Sequence, residues 1–219
     1  MNRLDSICSQ IQSNSIVCDI GCDHAYLLLK LYPKIKQGFA CDIAKKPLDA
    51  AKKTILENNI SDKITPVLSN GLENIQKSSF NSLVIAGMGG ELISSILENC
   101  DYIKDNKYQI LLQPMSKSSE LRKYLYENGY SILNEIISIE DRRVYTILNV
   151  KFTGIVKNKN LIDCFVSTAL TKDKNFNSFL DFHINRIKII INNMKNSDNI
   201  SNFNYYTDVL QILKEYKND

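Results

Sequence analysis

Asp19-Ile20-Gly21-Cys22-Asp23-His24-Ala25 is the stretch on which the fold turns. It follows Ile16-Val17-Cys18, an apolar run of the kind that forms a strand buried on both faces. Gly21 breaks that run, and helical text then follows to Leu31, where Pro33 stops it. A strand, a glycine turn and a helix in this order form the first half of a βαβ unit. In open α/β sheets such a turn faces the ligand, because binding occurs outside the carboxyl ends of the strands.

The pattern repeats outward from this point. Gly38-Phe39-Ala40-Cys41-Asp42 reads as a second strand ending in an acid, and Pro47 opens a helix running to about Asn58. Further strands are expected at 64–68, 82–86 and 109–112, each followed by a turn and a helix. Strands alternating with helices predict a mostly parallel sheet. Residues 130–139 and 144–152 read instead as a hairpin turning at Glu140-Asp141-Arg142-Arg143, which adds an antiparallel strand at the sheet edge. Beyond Gly154 helical spacing takes over, from Phe176 to Met194 and from Tyr206 to Tyr216, with a turn signal at Asn196-Ser197-Asp198-Asn199. The expectation is an α/β domain over 1–155 and an antiparallel, coiled-coil-like helical hairpin over 156–219.

Composition limits the function. The 219 residues are 44% hydrophobic and 23% charged, an ordinary globular profile. No apolar run approaches the ~20 residues of a membrane-spanning helix. Met1-Asn2-Arg3-Leu4-Asp5 has no apolar segment behind it, which points to the cytoplasm rather than secretion. Six scattered cysteines without a C-x-x-C pair read as buried hydrophobes in a reducing compartment. Cys18, Cys22 and His24 lack the second ligand pair of a zinc site, so no metal is expected. The net charge of +3 falls wholly in residues 151–219, with 10 basic and 7 acidic side chains against 17 of each before them. That excess is compatible with a polyanionic partner and equally with a solvated helical surface.

Chemistry concentrates at the strand ends. Where a dinucleotide site has a second glycine against pyrophosphate, this chain has the carboxylate Asp23. A negative charge there repels pyrophosphate and suits S-adenosylmethionine, which carries a sulfonium and an ammonium. Asp42 stands 21 residues past Gly21, the separation at which such folds hold ribose hydroxyls. Asn70-Gly71-Leu72 follows the third strand, with Asn70 toward an adenine edge and Leu72 toward its face. Ile85-Ala86-Gly87-Met88-Gly89-Gly90 ends the fourth, where a glycine-rich loop exposes backbone groups. Helix capping by the acids and ordinary turns by the glycines are the competing structural explanations.

These motifs, with Tyr26-Leu27 and Leu112-Gln113-Pro114, resemble the bacterial tRNA (adenine(22)-N(1))-methyltransferase family (TrmK-like) over most of residues 3–152. Cys22, Leu28 and Met115 stand where that family usually has Ser, Pro and Asn, and Tyr145-Thr146-Ile147 replaces its Tyr-Glu-Ile. The resemblance implies a Rossmann-like class I methyltransferase that modifies N1 of an adenine in tRNA. Cofactor contacts are then expected from Asp19, Gly21, Cys22, Asp42, Ile43, Asn70, Gly71, Leu72, Ala86 and Gly87. Asp23, His24, Gly87, Met88, Gly89 and Gln113 are expected around the reacting base, with Gln113 orienting it. Arg142, Arg143, Lys172, Lys174, Lys188 and Lys195 are the expected phosphate contacts of a monomer. Other readings are a methyltransferase with a protein or small-molecule substrate, a nicotinamide-dependent oxidoreductase, and a non-catalytic RNA-binding module. Asp23 and the missing glycine disfavour the oxidoreductase.

Overall fold

The computed structural model describes residues 2–194 and 200–218. Its centre is a seven-stranded sheet ordered β3-β2-β1-β4-β5-β7-β6. β1 (Ile16–Ile20), β2 (Gln37–Asp42), β3 (Ile64–Leu68), β4 (Ser82–Gly89) and β5 (Gln109–Ser116) run parallel. β6 (Tyr130–Glu140) and β7 (Arg143–Phe152) form the expected hairpin at one edge. The reversed strand β7 pairs with β5, which leaves β6 outermost. Asp141 and Arg142 both take positive φ at its tip, as a two-residue turn requires.

The helices cover both faces. α1 (Arg3–Gln10) starts at Asn2, whose side-chain oxygen accepts from the Asp5 amide at 2.8 Å and caps the first turn. α1, α2 (Tyr26–Leu31) and α3 (Lys45–Glu57) bury Ile7, Leu28, Leu31, Ala51 and Ile55 against one face of the sheet. α4 (Gly90–Glu98) and α5 (Ser118–Glu127) cover the other face with Ile93, Leu97, Leu121 and Leu125. Apolar runs such as Leu83-Val84-Ile85 are buried throughout because β4 has a helical layer on each side.

α6 (Phe176–Met194) and α7 (Ile200–Asn218) form the helical pair. They are antiparallel: Phe176, at the start of α6, meets the Tyr216 ring near the end of α7, and Asp181 pairs with Lys217. Leu180, Ile184 and Ile187 face Val209 and Leu213 in a third apolar cluster, which also takes in Ile137 of β6. The expected turn at Asn196–Asn199 and the phosphate contact Lys195 lie outside the described residues. Among the described residues, no helix is long and apolar enough to cross a membrane.

A buried ion pair ties the segment after Gly154 to the sheet. Arg122 of α5 meets both oxygens of Glu135 on β6, at 3.2 and 2.5 Å, and donates to the carbonyls of Cys164 and Phe165. Ser167 donates to the same carboxylate at 2.5 Å. Each polar group taken from water is thereby answered by another.

Candidate active site

The carboxyl ends of β1, β2, β3 and β4 bring the sequence-predicted residues to one rim of the sheet. Asp19 is 4% exposed near the end of β1. Burial first, and the Asp42 charge second, push its pKa up to about 7. No cation among the described residues offsets either influence. A positively charged ligand would do so, and this is the observation that fits a sulfonium- or ammonium-bearing molecule to the site.

The loop after β1 is held in shape by its neighbour. The Gly21 and Cys22 amides both donate to the Cys41 carbonyl, at 2.8 and 2.9 Å. These two amides are therefore spent within the protein, and the loop presents carboxylates to a ligand. Gly21, Asp23 and Ala25 take positive φ, so the chain rises in three left-handed steps into α2. The steps leave Asp23 and His24 exposed, with His24 stacked on Tyr26 at 5.2 Å between ring centroids. Cys22 is buried, and that burial pushes its thiol pKa up, so it stays protonated and packs.

A side chain from β4 crosses the same loop. A Cβ placed on Gly21 would lie 2.2 Å from the Met88 methyl carbon, so only glycine allows Met88 to rest there. At the end of β2, Asp42 accepts from the Ala44 amide through one oxygen at 2.9 Å. Beside it Ile43 is 67% exposed, an apolar surface free to cover an aromatic ring. Asn70 donates to Glu73 at 2.8 Å and stays exposed, while Gly71 takes φ +53° in the turn. Leu72 follows in the same turn, 4% exposed and part of the core cluster that also holds Ile20, Ile75 and Ile93.

The glycine segment is more ordered than a loop. β4 continues to Gly89 instead of ending at Ala86, with register irregularities beside Met88. Gly87, at φ +80°, drops out of the ladder, and its amide donates to the Gln113 side-chain oxygen at 3.1 Å. That oxygen also accepts from Arg3 at 2.8 Å, and the Gln113 amino group donates to the Pro114 carbonyl at 2.9 Å. Gln113 is 1% exposed, and its amide group is hydrogen-bonded within the protein, where it fixes the strand ends.

Arg3 is the residue that sequence reasoning missed. From α1 it reaches Gln113, approaches the Met115 sulfur at 3.7 Å and lies 5.7 Å from the centre of the Tyr145 ring. Its place in the first helix carries no motif. Arg142, Arg143, Lys172, Lys174 and Lys188 are exposed and distributed over the hairpin tip, a short turn and α6. Among the described residues, no group of three His, Cys, Asp or Glu side chains could hold a metal ion.

Comparison with known proteins points to methyltransferases. Residues 1–148 match the family described as "Methyltransferase domain". The tRNA (adenine(22)-N(1))-methyltransferase of Bacillus subtilis is 31% identical over 182 residues, covering 79% of this chain and 75% of its own. The crystal structure of the B. subtilis m1A22 tRNA methyltransferase superposes with a TM-score of 0.82 at 27% identity, over 98% of this chain and 97% of the other. The M. capricolum TrmK complex with S-adenosylhomocysteine gives 0.79 at 25% identity, over 98% and 96%.

Proposed function

Because the chain belongs to the tRNA (adenine(22)-N(1))-methyltransferase family, we propose that it transfers a methyl group from S-adenosylmethionine to N1 of adenine 22 in tRNA. The observation that carries the reading is the buried, uncompensated Asp19 beside Asp42, at strand ends built for a cationic nucleoside. Asp19 would hold the cationic end, Asp42 would accept the ribose hydroxyls, and Ile43 would cover the adenine face. S-adenosylmethionine supplies an electrophilic methyl group on a sulfonium.

Adenine N1 carries a lone pair at neutral pH, so its methylation needs no base. The work left to the protein is to expose N1, align it and accommodate the charge that develops on the ring. Exposed Asp23 offers that charge a carboxylate, with His24 and Tyr26 beside it as a flat surface. Gly87, fixed by Gln113, would set the floor on which the base rests. We assign the α/β unit to 1–155 and the helical unit to 156–219, acting as a cytoplasmic monomer. Arg142, Arg143, Lys172, Lys174 and Lys188 would follow the RNA backbone.

The test is methylation of an unmodified tRNA transcript with labelled cofactor, followed by mapping of the modified nucleotide. Label at N1 of adenine 22 is expected, with Asp23→Ala lowering kcat at least about tenfold. Label elsewhere, or an Asp23→Ala variant with full turnover, overturns the assignment.

A further inference from the structure

A cavity of about 700 Å³ lies between the end of β5, the tip-proximal part of β7 and the two C-terminal helices. That volume suits a ligand of nucleotide size. One wall is Pro114 and Met115, directly after the Gln113 that fixes Gly87, so the cavity opens beside the methyl-transfer end. Tyr145, next to Arg3, continues that wall.

The lining has a definite chemistry. Phe182, His183, Tyr205 and Tyr206 supply half-buried ring surfaces. Burial first, then the Arg186 and Arg122 charges, hold the His183 pKa down to about 3, so its ring there is neutral. Arg143 and Arg186 are exposed, and neither has an ion-pair partner among the described residues. Among the described residues the one lining acid is Glu120, which Lys117 already neutralises at 3.0 Å. Aromatic faces with two unpaired guanidiniums match a single-stranded nucleotide: rings take the base and arginine takes the phosphate.

We infer that this cavity is a second subsite, which receives the nucleotide adjacent to the methylated adenine in the same RNA. The inference rests on the methyltransferase reading. Withdrawing an adenine from its stack leaves the neighbouring base without a partner. A ring-lined cavity beside the reacting end replaces the lost stacking and fixes the direction in which the strand crosses the site.

The experiment uses the full chain and tRNA transcripts carrying 2-aminopurine at either position flanking the target adenine. Binding to the wild type should change the probe's fluorescence at one flank, and Arg186→Glu should abolish that change. The same variant should raise KM for tRNA about tenfold, with KM for S-adenosylmethionine unchanged. Arg143→Glu should act in the same direction. No fluorescence change at either flank, or unaltered tRNA kinetics in both variants while the wild type methylates normally, overturns the subsite alone. A wild type that leaves the transcript unmethylated overturns the underlying reading, and the subsite falls with it.

Discussion

The Arg3 guanidinium donates to the Gln113 side-chain oxygen at 2.8 Å, joining residues 110 positions apart at the end of the parallel sheet. That same oxygen holds the Gly87 amide, so the first helix reaches the reacting end through one shared acceptor.

Arg3→Ala should therefore loosen Gly87 without touching the cofactor. Losing a charge-assisted hydrogen bond predicts a fall in kcat of about tenfold. KM for S-adenosylmethionine should stay within about twofold of the wild-type value. Arg3→Lys should recover part of the loss, because it restores a donor but not the guanidinium fork. Steady-state kinetics with each substrate varied in turn separates these outcomes. An equal rise in both KM values would place Arg3 in general folding instead.

Asp19 predicts a pH signature with a defined sign. Its ordinary pKa is 3.8, and the folded value is raised to about 7. Between these two, the folded chain keeps a proton that the unfolded chain has lost. Stability from this group is therefore present at low pH and is lost as pH rises through about 7. Asp19→Asn should raise Tm at pH 8 by about 5 °C and leave it unchanged near pH 4, measured without cofactor. Binding of S-adenosylmethionine near pH 6 should release a proton from wild type and none from the variant. Calorimetry in two buffers of different ionisation enthalpy reads that proton directly.

The Arg122–Glu135 pair makes a prediction about stability. Glu135→Ala leaves a buried guanidinium with carbonyl partners and no counter-charge. Such a change costs about 3–5 kcal/mol, and urea unfolding should show it. Arg122→Met with Glu135→Leu should regain most of that loss. A single variant as stable as wild type would contradict the burial described for this pair.

What was legible in the sequence is what the chain encodes locally. Asp19-x-Gly21 and Asp42 each sit where a strand stops, so one apolar run and one acid were enough to place them. The hairpin at 130–152 was readable from alternation and its turn residues. Gly87-Met88-Gly89 was misread as loop because glycine lowers strand propensity, whereas pairing with β5 carries the strand to Gly89. The strand-end position of Gln113 is local and was legible, while the two donors to its oxygen come from distant segments and were not. Arg3 and the Arg122–Glu135–Ser167 network depend on approaches between distant segments, which no short pattern announces.

Met88 gives the site one last property. Its methyl carbon rests against Gly21, so any molecule lying over that glycine must first displace a thioether that belongs to the protein. The side chain is unbranched and turns aside at little cost. For a ligand placed over Gly21, the measured affinity would be the intrinsic affinity scaled by the fraction of molecules in which Met88 has swung clear. In a protein assigned to S-adenosylmethionine, the group guarding the cradle is the same methyl thioether that remains when the cofactor's adenosyl group is removed.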